Sequence, residues 1–557
     1  MEIFTKLFQL EISFHKVIFW EIKEQIDKYL LPVLIILLTV LSLYFFNYYY
    51  FNGLGLAYND ARSHLDIGRR VVEGLKPGAA QLGSVWLPLP HILMIPFIWN
   101  DFMWHTGLAG AINSMIAFVI TGVLINQILK KMKVGLLGRI FGVVLFSINL
   151  NILYLQSTAM TELLLIATTT ASVYYLISWG EDNKVINLIK CAFWVMMSTL
   201  NRYDGWFLFA LITGLISVEV FIGNGRLRAI FSKEMLIRNY KKIEGILILF
   251  CTLGGFGIFL WFMWNLLIFG DPLFFAFGPY SAHAQQDQLE SAGNLITKGN
   301  LWISIVTYFY ALFFNLNTYL ALFGFFGSAL FWFDKKISLK TKIGSMALFA
   351  PLLFNIIALF FGHSVLFVQG INGNTWFNIR YGVMLVPTIA IFSGFLIDRL
   401  ASLRVVLIGL FIFVSYFSII SYDAVTIDDA RVGSSQKNVS EVSGYLANNA
   451  ANKNGFVLIS AASHDAIIFS SGLPMSRFIH EGTGEYWKSA TTSPDRWARW
   501  IVTRTYDDND STWKLIKNSD GLSKYRLVAN YPFADVYELR EEFLDNLTTD
   551  TVYKGQK

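Results

Sequence analysis

The sequence predicts a mostly α-helical, polytopic membrane protein of about eleven transmembrane helices that carries a small extracytoplasmic α/β domain at its C-terminus. Three observations predict it. Of 557 residues, 55% are hydrophobic and only 15% charged, where a soluble domain carries about 25% charged residues. The apolar residues gather in eleven runs that approach the roughly 20 needed to cross a bilayer. Beyond residue 422 these runs stop, and short β-rich stretches alternate with polar ones. The same composition excludes a soluble cytosolic enzyme and a disordered chain. A net charge of +5, from 44 basic against 39 acidic residues, is too small to suggest a nucleic-acid partner.

The chain opens with residues 1–29, where Glu2, Glu11, Glu21, Glu24 and Asp27 mix with Lys6, Lys16, Lys23 and Lys28 around Phe4, Phe8, Phe14 and Trp20. That mixture is no cleavable signal peptide and predicts a cytoplasmic helix lying in the interface. The spans follow at 30–50, 107–129, 139–156, 162–179, 185–200, 206–223, 246–269, 316–333, 343–361, 381–398 and 403–421, together a membrane module over 30–422. The run 86–103 is excluded because Pro88, Pro90 and Pro96 interrupt it, which suits a broken, membrane-dipping segment. Residues 301–315 read as an interfacial lead-in to the eighth span. Cys191 and Cys251 each lie within an apolar run, so no disulfide framework is available to a water-exposed part.

Loop charge orients the module, since Lys and Arg accumulate in cytoplasmic loops. With the N-terminus inside, the clusters Lys130, Lys131, Lys133, Arg139, then Arg226 to Lys242, then Lys335 to Lys342, then Arg399 and Arg404 all fall inside. The first loop, 51–106, and the tail, 423–557, then lie outside. In the tail, Phe456 to Ser460, Trp500 to Thr505, Tyr525 to Val528 and Asp535 to Leu539 read as strands, with Ser434 to Asn449 and Pro494 to Ala498 as helices. About 135 residues suffice to bury a core.

In the first loop, residues 60–75 fit a helix with Asn59 or Asp60 as its cap and Gly74 as its stop. Asp66, Arg69, Arg70 and Glu73 have the spacing of a salt-bridged surface helix. Asp60 differs, because it sits just past the first span, a carboxylate at membrane depth. Other ionisable residues open spans on the same predicted face: Glu162, then Arg202 and Asp204, then Arg380. Acids and bases placed so can move a group from a phosphate leaving group to an acceptor, an Arg neutralising the phosphate and a carboxylate taking the acceptor proton. The loop 270–301, with Phe274, Phe275, Phe277, His283 and Asp287, is long enough to order over bound substrate.

Asp60-Ala61-Arg62-Ser63-His64-Leu65, the stretch Gln81 to His91, Asn201-Arg202-Tyr203-Asp204-Gly205-Trp206 and Asn378-Ile379-Arg380-Tyr381-Gly382 resemble a prokaryotic, mannosyltransferase-like branch of the GT-C superfamily of membrane glycosyltransferases. The likeness runs from residue 30 to about 400. It implies an inverting transfer from a polyprenyl-phosphate-linked sugar, mannose or another hexose, to an external protein, lipid or glycan acceptor. By the same analogy Asp60 is the general base, Glu162 a second acid, and Arg380, with Arg202, holds the donor phosphate. The family's first loop often carries two adjacent acids. Here Asn59 precedes Asp60, so Glu162 or Asp204 would substitute. The resemblance leaves a divalent metal open; His64 and His91 have ligand chemistry, although hydrogen bonding suits them better.

A transporter or flippase of a lipid-linked sugar is the rival reading. It would concentrate ionisable residues at mid-membrane, where this chain has scattered Asn, Ser and Thr such as Asn113, Ser114, Asn149 and Asn355.

Overall fold

The computed structural model describes residues 29–222, 233–278, 281–291, 293–433, 439–507 and 510–548. The expected interfacial helix at the N-terminus and the basic residues 226 and 228 lie outside the described residues. Among the described residues seven helices are long and apolar enough to cross a membrane: Tyr29–Phe51, Leu108–Lys131, Glu162–Asp182, Asp204–Phe221, Leu339–Phe360, Ile379–Arg399 and Arg404–Val432. Two bent pairs raise the number to nine at most. Tyr240–Gly254 meets Phe256–Phe269 at 45°, and Leu301–Leu316 meets Thr318–Phe333 at 110°.

Among the described residues the expected eleven spans are therefore not all matched by a helix of spanning length. The runs at 139–156 and 185–200 fold as Leu136–Ser147, 12 residues, and Val185–Thr199, 15 residues. At 1.5 Å per residue these reach roughly 18 and 22 Å, short of the ~30 Å hydrocarbon core. The first run breaks because Asn149 turns out of the helix and its side chain caps the next one, Leu150–Leu155, accepting from the Ile152 N–H at 3.0 Å. The proline-interrupted run forms Leu89–Ile98, only ten residues long with Pro96 inside it.

Helix Val386–Arg399 runs through the centre of the body, and nearly all of its residues are buried. Small residues admit its neighbours. A Cβ on Gly327 would lie 2.0 Å from the Phe392 carbonyl, and Cβ atoms on Gly138 and Gly394 would each lie 2.4 Å from the other's carbonyl oxygen. Helix backbones in contact at these points exclude any side chain there.

Charge separates the two ends of the body. Where Leu108–Lys131, Glu162–Asp182, Thr318–Phe333 and Val386–Arg399 finish, Lys131 pairs with Glu181 at 2.9 Å and Arg399 with Asp334 at 2.8 Å. The basic residues Lys131, Lys133, Lys336, Arg399 and Arg404 thus gather at one end, and the starts of Glu162–Asp182 and Asp204–Ile222 lie at the other.

The tail holds a five-stranded sheet of order β2-β1-β3-β5-β4. Strands β1 (Phe456–Ile459), β2 (Phe478–Ile479) and β3 (Ala498–Thr503) run parallel, and β5 (Asp535–Leu539) pairs antiparallel with both β3 and β4 (Tyr525–Asn530). Four strands match the expectation. The two-residue β2 carries no alternation for sequence reading to detect. Helix Ser440–Ala450 occupies part of the expected stretch from Ser434, of which 434–438 lie outside the described residues.

The first-loop helix spans Asn59–Val72, with Tyr58 in the cap position and no side-chain cap bond. Neither Asn59 nor Asp60 caps it, because Asp60 is drawn into an ion pair elsewhere. It is also no surface helix: His64 through Arg70 are all buried. Asp66 accepts from the Trp104 indole N–H at 3.1 Å, and Arg70 is ion-paired with Asp465 of the tail. Gln81 donates to the Gly482 carbonyl at 2.7 Å, and Trp104 meets Phe469 edge to face. The helix is a wedge between membrane body and tail, and only Arg69 with Glu73 keeps the expected i, i+4 pair.

Candidate active site

Five elements bring ionisable side chains to one end of the body. Asp60 lies in the first turn of Asn59–Val72, Glu162 opens Glu162–Asp182, and Asp204 opens Asp204–Ile222 just after Arg202. Arg380 lies in the tight turn Ile379–Leu385 that leads into Val386–Arg399. Glu162 and Asp204 occupy helix N-termini, where the backbone dipole favours negative charge. Asp429 comes from the short helix Val425–Val432 after the last long span.

Arg380 is the hub. Its Nη2 lies 2.6 Å from Asp60 Oδ2, its Nε 3.0 Å from Glu162 Oε1, and its Nη1 3.6 Å from Asp429 Oδ2. Arg202 joins the same network, with Nη1 3.2 Å from Glu162 Oε1 and Nε 3.3 Å from Asp204 Oδ2. Its Nη1 also donates to Thr161 Oγ1 at 3.2 Å. Aromatic rings complete the walls: Arg380 stands over Tyr58 at 4.8 Å, and Arg202 over Tyr381 at 4.9 Å. Burial lowers the proton affinity of Arg202, but Asp204, Tyr381 and Glu162 more than offset this and raise it.

Four carboxylates thus face two guanidinium groups in a buried setting. Glu162 Oε2, Asp204 Oδ1, Asp429 Oδ1 and Arg380 Nη1 are all buried without a hydrogen-bond partner in the protein. Buried polar atoms are almost always satisfied, and their concentration in one place makes this cluster the candidate site for a polar ligand. Among the three carboxylates around Arg380, only Asp60 has a partly exposed side chain, at 32%; those of Glu162 and Asp429 are at 0%. Of these three carboxylates, solvent therefore meets the cluster at Asp60.

The histidines divide. His64 Nδ1 lies 2.9 Å from His91 Nε2, and Trp86 leans on the His64 ring at 4.3 Å. Burial first, then Arg380 and Arg202, push the His64 imidazole down to about 3, and burial holds His91 well below the usual range. His64 therefore borders the charged cluster as a neutral ring. His283 is an exposed partner of Asp287 on its own helix, at 2.9 Å, and the structure does not bring it into the cluster. Its loop does approach: Phe275 stacks on Tyr203 at 5.7 Å and meets Trp206 edge to face. Among the described residues no three His, Cys, Asp or Glu side chains are disposed to hold a metal ion.

Sequence reading found Asp60, Glu162, Arg202, Asp204 and Arg380, and the structure brings all five together. It missed Asp429 and Tyr58, whose hydroxyl lies 3.0 Å from Asp429 Oδ2. The available signal was an acidic pair, Asp428-Asp429, placed just beyond the last apolar run.

No family profile and no curated protein sequence match the chain. Solved structures do. ArnT from Cupriavidus metallidurans bound to undecaprenyl phosphate superposes with a TM-score of 0.52 at 10% identity, covering 91% of this chain and 98% of that one. Its apo state gives 0.49 at 11% identity, over 87% and 94% of the two chains. The archaeal oligosaccharyltransferase AglB from Archaeoglobus fulgidus, in complex with an inhibitory peptide and a dolichol-phosphate, gives 0.45 at 9% identity, over 93% and 75%. The likeness to ligand-bound ArnT is one of fold and extends over nearly the whole of both chains.

Proposed function

We propose that the protein is a glycosyltransferase of the GT-C type that moves a hexose, mannose first among the candidates, from a polyprenyl phosphate to an extracytoplasmic protein, lipid or glycan acceptor with inversion. The observation that carries this reading is the convergence of Asp60 and Glu162 on the Arg380 guanidinium at one end of the membrane body. A neighbour of like fold binds undecaprenyl phosphate, the class of ligand proposed here.

The donor explains the architecture. Each buried methylene is worth about 0.8 kcal/mol, so a polyprenyl chain stays in the bilayer and the enzyme meets the phosphate at the headgroup plane. In the proposed reaction the donor phosphate replaces the Asp60 carboxylate on Arg380 Nη2. That exchange fixes the leaving group and releases Asp60. The acceptor oxygen then attacks the anomeric carbon, the carbon–oxygen bond to phosphate breaks with its electron pair on the phosphate, and Asp60 takes the acceptor proton. Polyprenyl phosphate leaves with one more negative charge than it carried as a diester, and Arg380 with Arg202 stabilises that charge as it develops. One base serves a single displacement, whereas a retaining scheme calls for two opposed carboxylates. Catalysis and tail lie on the extracytoplasmic side, as the distribution of basic loops supports.

The test is incubation of the purified protein in detergent with a panel of polyprenyl-phosphate hexoses and candidate acceptors, with and without chelator. Release of polyprenyl phosphate coupled to glycosylated acceptor is expected. Donor movement across vesicle membranes with no release would favour the flippase reading instead.

A further inference from the structure

Asp429 has no place in the reading above, yet it is fully buried and closes the third side of the Arg380 guanidinium. We infer that Asp429 is a positioning residue that, with Glu162, fixes the plane of Arg380 when the donor phosphate displaces Asp60, so that the chain leading into the tail completes the active site. This rests on the proposed glycosyl transfer.

The argument is one of access and rigidity. A guanidinium has a fixed planar fork of donors. In Arg380 one edge meets partly exposed Asp60, while Nε and Nη1 face carboxylates that solvent does not reach. An incoming phosphate can therefore replace only Asp60, and the two buried carboxylates remain to hold the fork. Tyr58 fixes Asp429 in turn, its hydroxyl 3.0 Å from Oδ2 while its ring lies against Arg380.

The helix that carries Asp429 is itself tied to the Arg380 turn. The Thr426 N–H and hydroxyl donate to Asn151 Oδ1 at 3.0 and 2.8 Å, Asn151 Nδ2 donates to the Asn315 carbonyl at 3.0 Å, and Asn315 Nδ2 donates to the Ile379 carbonyl at 2.7 Å. All four residues are buried. This chain of bonds ends one residue before Arg380. The segment Val425–Val432 is thus locked to the site by its backbone and its carboxylate, although it belongs by sequence to the lead into the tail.

Removal of the Asp429 charge should separate binding from rate, because Arg380 would face less competing negative charge while losing its orientation. In Asp429→Asn, polyprenyl phosphate should bind as tightly as in the wild type or tighter, while kcat falls at least tenfold. Asp429→Glu should recover kcat to within about threefold of the wild type. Tyr58→Phe, a smaller change for use if Asp429→Asn does not fold, should lower kcat about threefold with lipid-phosphate binding retained. An unchanged kcat in these variants overturns the inference. So does a parallel loss of binding and rate that Glu does not rescue, since that is the signature of a merely structural residue. A wild type that releases no lipid phosphate from any donor removes the proposed function and this inference with it, whereas an active wild type with an indifferent Asp429→Asn removes the inference alone.

Discussion

Asp60 and Arg380, 320 residues apart in the chain, lie 2.6 Å apart at one end of the helical body. One follows the first long span and the other precedes a late one, so only the tertiary fold can pair them. Under the proposed function the pair places the carboxylate that takes the proton on the guanidinium that holds the phosphate, while Glu162 and Asp429 face the guanidinium's other donors.

Asp60→Asn keeps the shape of the side chain and removes its basicity. Transfer should fall by about 10²- to 10⁴-fold, the usual contribution of a general base, while lipid-phosphate affinity is maintained because Arg380 loses a competing charge. Rates measured beside binding of polyprenyl phosphate check this. An equal loss of both would remove Asp60 from the role of base.

Arg380→Lys keeps the charge and loses the fork, and a point charge cannot bridge two buried carboxylates and a phosphate at once. The donor KM should rise tenfold or more while the acceptor KM stays within about twofold. An unchanged donor KM would mean that the phosphate is held elsewhere.

The buried neutral pair His64 and His91 sets an acid limit on stability. The free imidazole titrates near 6.5, whereas burial and the two arginines bring His64 down to about 3. Below about pH 6.5 the unfolded chain binds protons that the folded one does not, so stability falls as pH drops toward 3. Thermal unfolding of the protein in detergent between pH 7 and 4 should show this loss, and His64→Gln should lessen it. Parallel curves for the two proteins would contradict the assignment.

Arg70 and Asp465 join the first-loop helix to the tail across 395 residues. Asp465→Ala leaves a buried guanidinium without its carboxylate, which costs about 3–5 kcal/mol where such pairs are broken. Denaturant melts should register that loss. The double variant Arg70→Met, Asp465→Leu should recover much of it. A wild-type melt for Asp465→Ala would mean that solvent reaches Arg70.

Much of this was legible in the sequence because lipid imposes long apolar runs, and a charge at the end of such a run is visible without a structure. Asp60, Glu162, Arg202, Asp204 and Arg380 were readable on that ground. What was not readable depended on distance in the chain. Asp66 and Arg70 have the spacing of a solvated helix, and nothing local reveals that Trp104 and Asp465 enclose them. Asp429 lies 371 residues from Tyr58, in a polar stretch beside Asp423 and Asp428. The run 139–156 failed for another reason: hydropathy registers apolar length but not the Asn149 cap that starts a new helix within it.

The most direct measurement is titration of the purified protein with a polyprenyl phosphate and, in parallel, with the free polyprenol. Saturable binding that requires the phosphate, persists in Asp60→Asn and weakens at least tenfold in Arg380→Lys is the predicted result. Equal binding of phosphate and alcohol, or phosphate binding indifferent to Arg380, would contradict a donor-phosphate site at this guanidinium.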